Sequence, residues 1–266
     1  MYGLGQPLDN LILKTERAKK HVLDLEAEFE RFMQTKPNTF AFKTDANTSD
    51  RIYYVTKVTP VPVEFSLLIG DALNNIRSAL DHLAYQLVSV GGGTGEILRQ
   101  AKFPIGNSPS DYIAQKSGIV PGLRQDAIKA IDAIEPYETG VGGYLCHLAA
   151  LNNFDKHRLL VPVWGCISGH TAFPSEKEFL AKFYRKDASH FSSAMMVNKR
   201  AFPTKAGDVI LTVPKADVEE NMQFLFNITF GKPEIAKGNP VIETLHEMTK
   251  MVRNIIFDFD KYGCFR

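Results

Sequence analysis

Three stretches of this chain repeat apolar residues every three or four positions, the spacing that gathers them on one side of an α-helix. The first runs from about residue 7 to residue 33. Its stripe is Leu8, Leu11, Ile12, Ala18, Val22, Leu25, Phe29 and Phe32, with Lys14, Glu16, Lys19, Lys20, Asp24 and Glu28 toward water. The second spans about 64–90 and stops at Gly91-Gly92-Gly93. The third starts at Asn239-Pro240 and carries Val241, Leu245, Met248, Val252, Ile255, Ile256 and Phe259 to about residue 260.

Other elements fall between these. Residues 39–44 and 51–59 read as strands joined by the polar turn Asp45-Ala46-Asn47-Thr48-Ser49, and Pro60 and Pro62 end the second. Shorter helices are predicted near Pro109, over 123–134, and over 144–155 after the loop Gly140-Val141-Gly142-Gly143. From 159 to 230 the pattern is β-rich, with strands expected at 159–164, 194–197, 209–213 and 223–230. A helix over about 176–186 interrupts it, with Ser175 and Glu178 spaced as a capping box. Strands and helices do not alternate, so the expected class is α+β rather than α/β. The architecture expected is a bundle of long N-terminal, central and C-terminal helices with a β-rich segment in the second half. One domain over 1–266 is expected, because the terminal helices should pack together.

Composition narrows this further. The chain is 44% hydrophobic and 23% charged, enough for a substantial core. Lys plus Arg number 31 against 30 for Asp plus Glu, so any nucleic-acid site has to be a local patch. Cys146, Cys166 and Cys264 lie far apart and match no metal spacing, which fits a reducing compartment. The N-terminus lacks a secretory pattern, and the apolar runs fall short of the roughly 20 residues that span a bilayer. A cytoplasmic protein without a membrane partner is therefore expected.

The central helix carries the first candidate chemistry. Ile69, Leu73, Ile76, Leu80, Leu83 and Leu87 form its apolar face, and Asp71, Asn74, Asn75, Ser78, Asp81, His82 and Tyr85 lie opposite. Arg77 sits at the edge, four residues before Asp81, where the two can pair on the surface. A solvated face is usually built from Glu, Lys and Gln. Asp, Asn and Ser compete for backbone hydrogen bonds and weaken a helix interior. Their concentration between Asn74 and Asp81 points to a ligand or catalytic surface, with a structural polar layer as the alternative.

A second constellation has a similar composition: His147, Asn152, Asn153, then Asp155-Lys156-His157-Arg158, where a helix is expected to give way to a strand. A charged, solvated turn is the plainer reading of that run. The binding set expected is Asn74, Asn75, Ser78, Tyr85, His147, Asn153, Asp155, Lys156, His157 and Arg158.

Arg77-Ser78-Ala79-Leu80-Asp81-His82 resembles R-x4-H, the motif of the HEPN-superfamily ribonucleases, across one helix. The spacing recurs at Arg185 and His190. The wider pattern, from Gly70 to His82 with a later Asn153-Phe154-Asp155-Lys156-His157-Arg158, also resembles a group of uncharacterised bacterial proteins, which implies no activity. The HEPN resemblance implies metal-independent RNA cleavage at a homodimer interface. His82 would assist proton transfer at a 2′-hydroxyl, Arg77 would stabilise charge on the phosphate, and Asp81 and Asn74 would orient them. RNA or a nucleotide is the implied partner. On one ideal helix Arg77 and His82 lie about 140° apart, so sharing a ligand calls for a second chain or a distorted helix.

A non-catalytic or metal-dependent small-ligand-binding protein is the alternative. Asp81, His82, His147, Asp155 and His157 could ligate Zn or Fe, but no metal motif spaces them, and neither metal nor cofactor is expected. Gly165-Cys166-Ile167-Ser168-Gly169 misses the G-x-S-x-G elbow by one residue, and no P-loop is present.

Overall fold

A computed structural model describes residues 7–169, 203–218 and 223–265. Among them are seven α-helices and five strands, and the expected α+β class holds. The helix expected over 176–186, the strand over 194–197 and the recurrence of R-x4-H at Arg185 and His190 lie outside the described residues.

In chain order the elements are α1 (Pro7–Gln34), β1 (Asn38–Thr44), β2 (Arg51–Val58), α2 (Val63–Val90), α3 (Gly95–Arg99) and α4 (Pro109–Ser117). They continue with α5 (Gln125–Ile134), α6 (Tyr144–His157), β3 (Pro162–Gly169), β4 (Val209–Val213), β5 (Gln223–Phe230) and α7 (Val241–Lys261). The chain forms two compact units, one of residues 7–29, 62–161 and 232–265, the other of the described parts of 30–61 and 162–231.

In the first unit α2 is the central helix. Its apolar stripe is buried from Phe65 through Ile69, Leu73, Ile76, Leu80, Leu83 and Leu87, and it packs against α3, α6 and α7. Each such Leu or Ile removed from water stabilises the fold by about 1.5–3 kcal/mol before entropy is counted. The helix ends where Gly91 and Gly93 meet Gly122 of a 3-10 turn (Val120–Gly122). A β-carbon at Gly91 would stand 2.2 Å from the Gly122 carbonyl oxygen. The glycines that read as a terminator thus also form a close backbone contact.

Helix α1 runs antiparallel to α2, with Phe29 edge-on to Phe65 at 6.4 Å near one end. It also runs antiparallel to α7. His246 Nε2 lies 3.0 Å from Glu26 Oε1, and Arg253 pairs with Glu16. The first and last helices therefore pack together.

The second unit is antiparallel β structure. One sheet has the order β1-β2-β4, with Asn38 opposite Val58 and Arg51 opposite Val213; β3 and β5 form the other, with Pro162 opposite Phe230. Strand β3 starts later than the pattern over 159–164 predicted, after Leu159 and Val161, both exposed. Aromatic residues fill the interior: Phe224 meets Phe40 at 4.7 Å and Tyr53 at 5.2 Å, and Trp164 stacks on Phe32. The Trp164 indole N–H donates to the Thr59 carbonyl at 2.6 Å, a partner that lets the large ring be buried.

Candidate functional site

The polar strip on α2 divides into two parts that face different ways. Around the helix Arg77 lies about 160° from Asn75, so one ligand cannot meet both. Arg77 is turned toward the segment after α3. Its Nη2 and Nε donate to Asp81 Oδ1 and Oδ2 at 2.8 and 3.2 Å, and Nη2 also donates to the Phe103 carbonyl at 2.9 Å. Asp81 Oδ1 in turn accepts the Phe103 N–H at 3.0 Å. With the Arg77 side chain 14% exposed and that of Asp81 29%, this is a half-buried network rather than the surface pair expected from spacing.

Beside this network, and sharing Asp81 with it, lies a groove between α1 and α2, with a volume of about 730 Å³. From α2 it is lined by Asn75, Asp81, His82, Tyr85 and Gln86; Asn75, His82 and Gln86 fall within an arc of about 40° round the helix. Its α1 wall carries Asn10, Leu13, Lys14 and Arg17, and Ala101 closes one side. His82 and Tyr85 are exposed, as is Leu13, so the groove offers an apolar and an aromatic surface beside its polar groups. The Asn75 amide nitrogen donates to the Asp71 carbonyl at 2.8 Å, which leaves its amide oxygen as an acceptor. The charge of Asp81 is matched by Arg77, so Lys14 and Arg17 give the groove a positive character. Asn74 and Ser78 are not part of its lining; Asn74 is exposed and Ser78 half-buried.

The second constellation sits elsewhere in the same unit. Helix α6 continues through His157, so Asp155 belongs to its last turn rather than to a loop. From there its carboxylate reaches Gly70 of α2. Burial raises the carboxyl's pKa above the ordinary 3.8, the Leu160 backbone N–H pulls it down, and the charge of Asp71 raises it again. Asn153, Lys156, His157 and Arg158 are exposed, the last three at the C-terminal end of the helix, where cations suit its dipole. His147 is half-buried against the Tyr144 ring at 5.1 Å, and its Nδ1 is buried without a partner. Burial lowers its pKa below 6.5, with Glu138 acting in the opposite direction.

None of these α6 residues lines the groove. Nor is any group of three or more His, Cys, Asp or Glu residues gathered tightly enough to hold a metal ion among the described residues. Sequence reasoning misses the α1 wall, since periodicity alone places Lys14 toward water and the structure places it in the groove lining. The spacing of Asn10, Lys14 and Arg17 along one α1 face was the available signal.

Comparison with known proteins returned no matching family model, no matching curated protein and no matching solved structure. Among the described residues no helix is long and apolar enough to cross a membrane.

Proposed function

We propose that this chain binds a nucleotide, free or at the end of an RNA strand, in the groove between α1 and α2. The observation that carries the reading is the pair of cations, Lys14 and Arg17, facing His82 and Tyr85 while the nearby Asp81 is already neutralised. Cations without a matching anion attract phosphate. Tyr85 and Leu13 offer a base an apolar face, and stacking of a base on an aromatic ring contributes about 1–3 kcal/mol. Gln86 and Asn75 supply amide groups for its edge. A volume of about 730 Å³ suits a mononucleotide, since ligand sites run to roughly 300–1,000 Å³.

The resemblance to HEPN ribonucleases supports RNA as the larger ligand, with one change of part. Arg77 is engaged by Asp81 and Phe103, so Arg17 takes the charge-stabilising role at the phosphate and His82 the proton-transfer role at a 2′-hydroxyl. A homodimer through the helices, bringing a second His82 to the strand, belongs to the same proposal.

Calorimetric titration with adenosine and uridine monophosphates tests the binding. We expect one saturable site, with affinity reduced about tenfold in Lys14→Ala/Arg17→Ala by the loss of charged hydrogen bonds. A wild-type chain that takes up neither nucleotide at millimolar concentration rules the reading out. Incubation with single-stranded RNA and sedimentation equilibrium test cleavage and the dimer separately.

A further inference from the structure

We infer that Arg77 is a positioning residue, which with Asp81 fixes the segment after α3 and so sets one wall of the α1–α2 groove. The inference rests on the groove being the binding site.

Residues 101–105 form no helix or strand, so no ladder of main-chain bonds dictates their path. The segment is tied to α2 at Phe103 instead. Both polar groups of that residue's main chain are taken up, the N–H by Asp81 at 3.0 Å and the carbonyl by Arg77 at 2.9 Å. The Phe103 ring, 1% exposed, anchors the same point by burial. Two residues earlier, Ala101 lines the groove, and Asp81 itself lines it from the helix.

A planar guanidinium suits this task. Arg77 reaches both carboxylate oxygens and the carbonyl at once, whereas a lysine ammonium on a flexible stem holds them less rigidly. The charge of Arg77 is thereby directed at the protein. A ligand in the groove depends on Arg77 without touching it.

The test pairs uridine monophosphate affinity with hydrogen exchange at the Phe103 amide, measured by NMR on the full chain. In Arg77→Met, exchange at Phe103 should accelerate and affinity fall about tenfold, in line with loss of hydrogen bonds to a charged group. Arg77→Lys should recover part of both, a graded rescue that simple loss of folding does not give. In Arg17→Ala, affinity should fall while Phe103 protection stays at the wild-type level. Nucleotide affinity that survives Arg77→Met and Arg77→Lys unchanged, with Phe103 exchanging fast, overturns the positioning role and leaves the groove reading intact. A wild-type chain that binds no nucleotide, with Phe103 protected, overturns the groove reading and this role with it.

Discussion

The carboxylate of Asp155 rests against the α-carbon of Gly70, so close that a β-carbon there would stand 2.5 Å from Oδ2 and 2.9 Å from Cγ. A glycine in the buried face of α2 is therefore what lets α6 and α2 meet through a charged side chain. Elsewhere in a helix, Gly→Ala is worth up to about 1 kcal/mol in propensity. Here Gly70→Ala forces the carboxylate off its Leu160 N–H, and we expect net destabilisation of about 1 kcal/mol. Repeated in an Asp155→Ala background, the same substitution should stabilise. Urea midpoints of the four proteins check this, and an equal effect in both backgrounds shows that the contact is not what matters.

Asp155 also sets a pH dependence. Burial raises its folded pKa above the ordinary 3.8, so the folded state favours the protonated form. The stability this group contributes is present below the unfolded pKa and is lost as pH rises from there through the folded value. Asp155→Asn keeps an acceptor for Leu160 and cannot ionise. Its urea midpoint should match wild type near pH 3 and exceed it at pH 7. A difference that does not change between those pH values removes Asp155 from the account.

His21 acts with the opposite slope. It is 8% exposed between α1 and α2, and its Nδ1 is buried without a partner. Burial lowers its pKa below 6.5; Asp71 and Asp24 pull upward, Arg17 and Lys20 downward. Because the folded state favours the neutral ring, stability is present above the unfolded pKa and lost as pH falls through the folded value. His147, lowered by the same cause, adds to that loss. In His21→Leu, thermal midpoints should decline less than in wild type between pH 7 and pH 5. Parallel declines in the two proteins assign the whole acid limb to other groups.

These relationships show what a sequence can and cannot carry. The long helices were legible because Ile69, Leu73, Ile76, Leu80, Leu83 and Leu87 repeat at the helical period, and all are buried. Helix α3 was not: five residues just behind Gly91, Gly92 and Gly93 are too short for a periodic signal. The Arg77–Asp81 pair was legible from its spacing of four. Its half-buried setting was not, because it depends on Phe103, more than twenty positions along the chain. Asp155 was singled out by composition, yet a junction was expected where α6 continues through His157. A glycine on a buried helical face was the one local hint that another element approaches there. The groove cations stand on α1, where beside an apolar stripe Lys14 and Arg17 have the pattern of an ordinary solvated face.

His82 separates binding from folding most cleanly, because it is exposed and lies in the groove lining. Surface substitutions away from packed features usually change stability by less than about 0.5 kcal/mol, so His82→Ala should melt with the wild type. Nucleotide affinity should nevertheless fall, and any cleavage of single-stranded RNA should disappear if His82 moves the proton. Charge and hydrogen bonding can then be told apart by salt. On the proposed reading Lys14 and Arg17 would act on phosphate through a field screened within about 8 Å at physiological ionic strength, so their contribution should shrink as salt rises. The effect of His82→Gln, which keeps a hydrogen-bonding side chain but cannot carry a proton between two atoms, should persist at high salt if proton transfer is what counts. Equal RNA cleavage by wild type, His82→Ala and His82→Gln places the chemistry outside this groove.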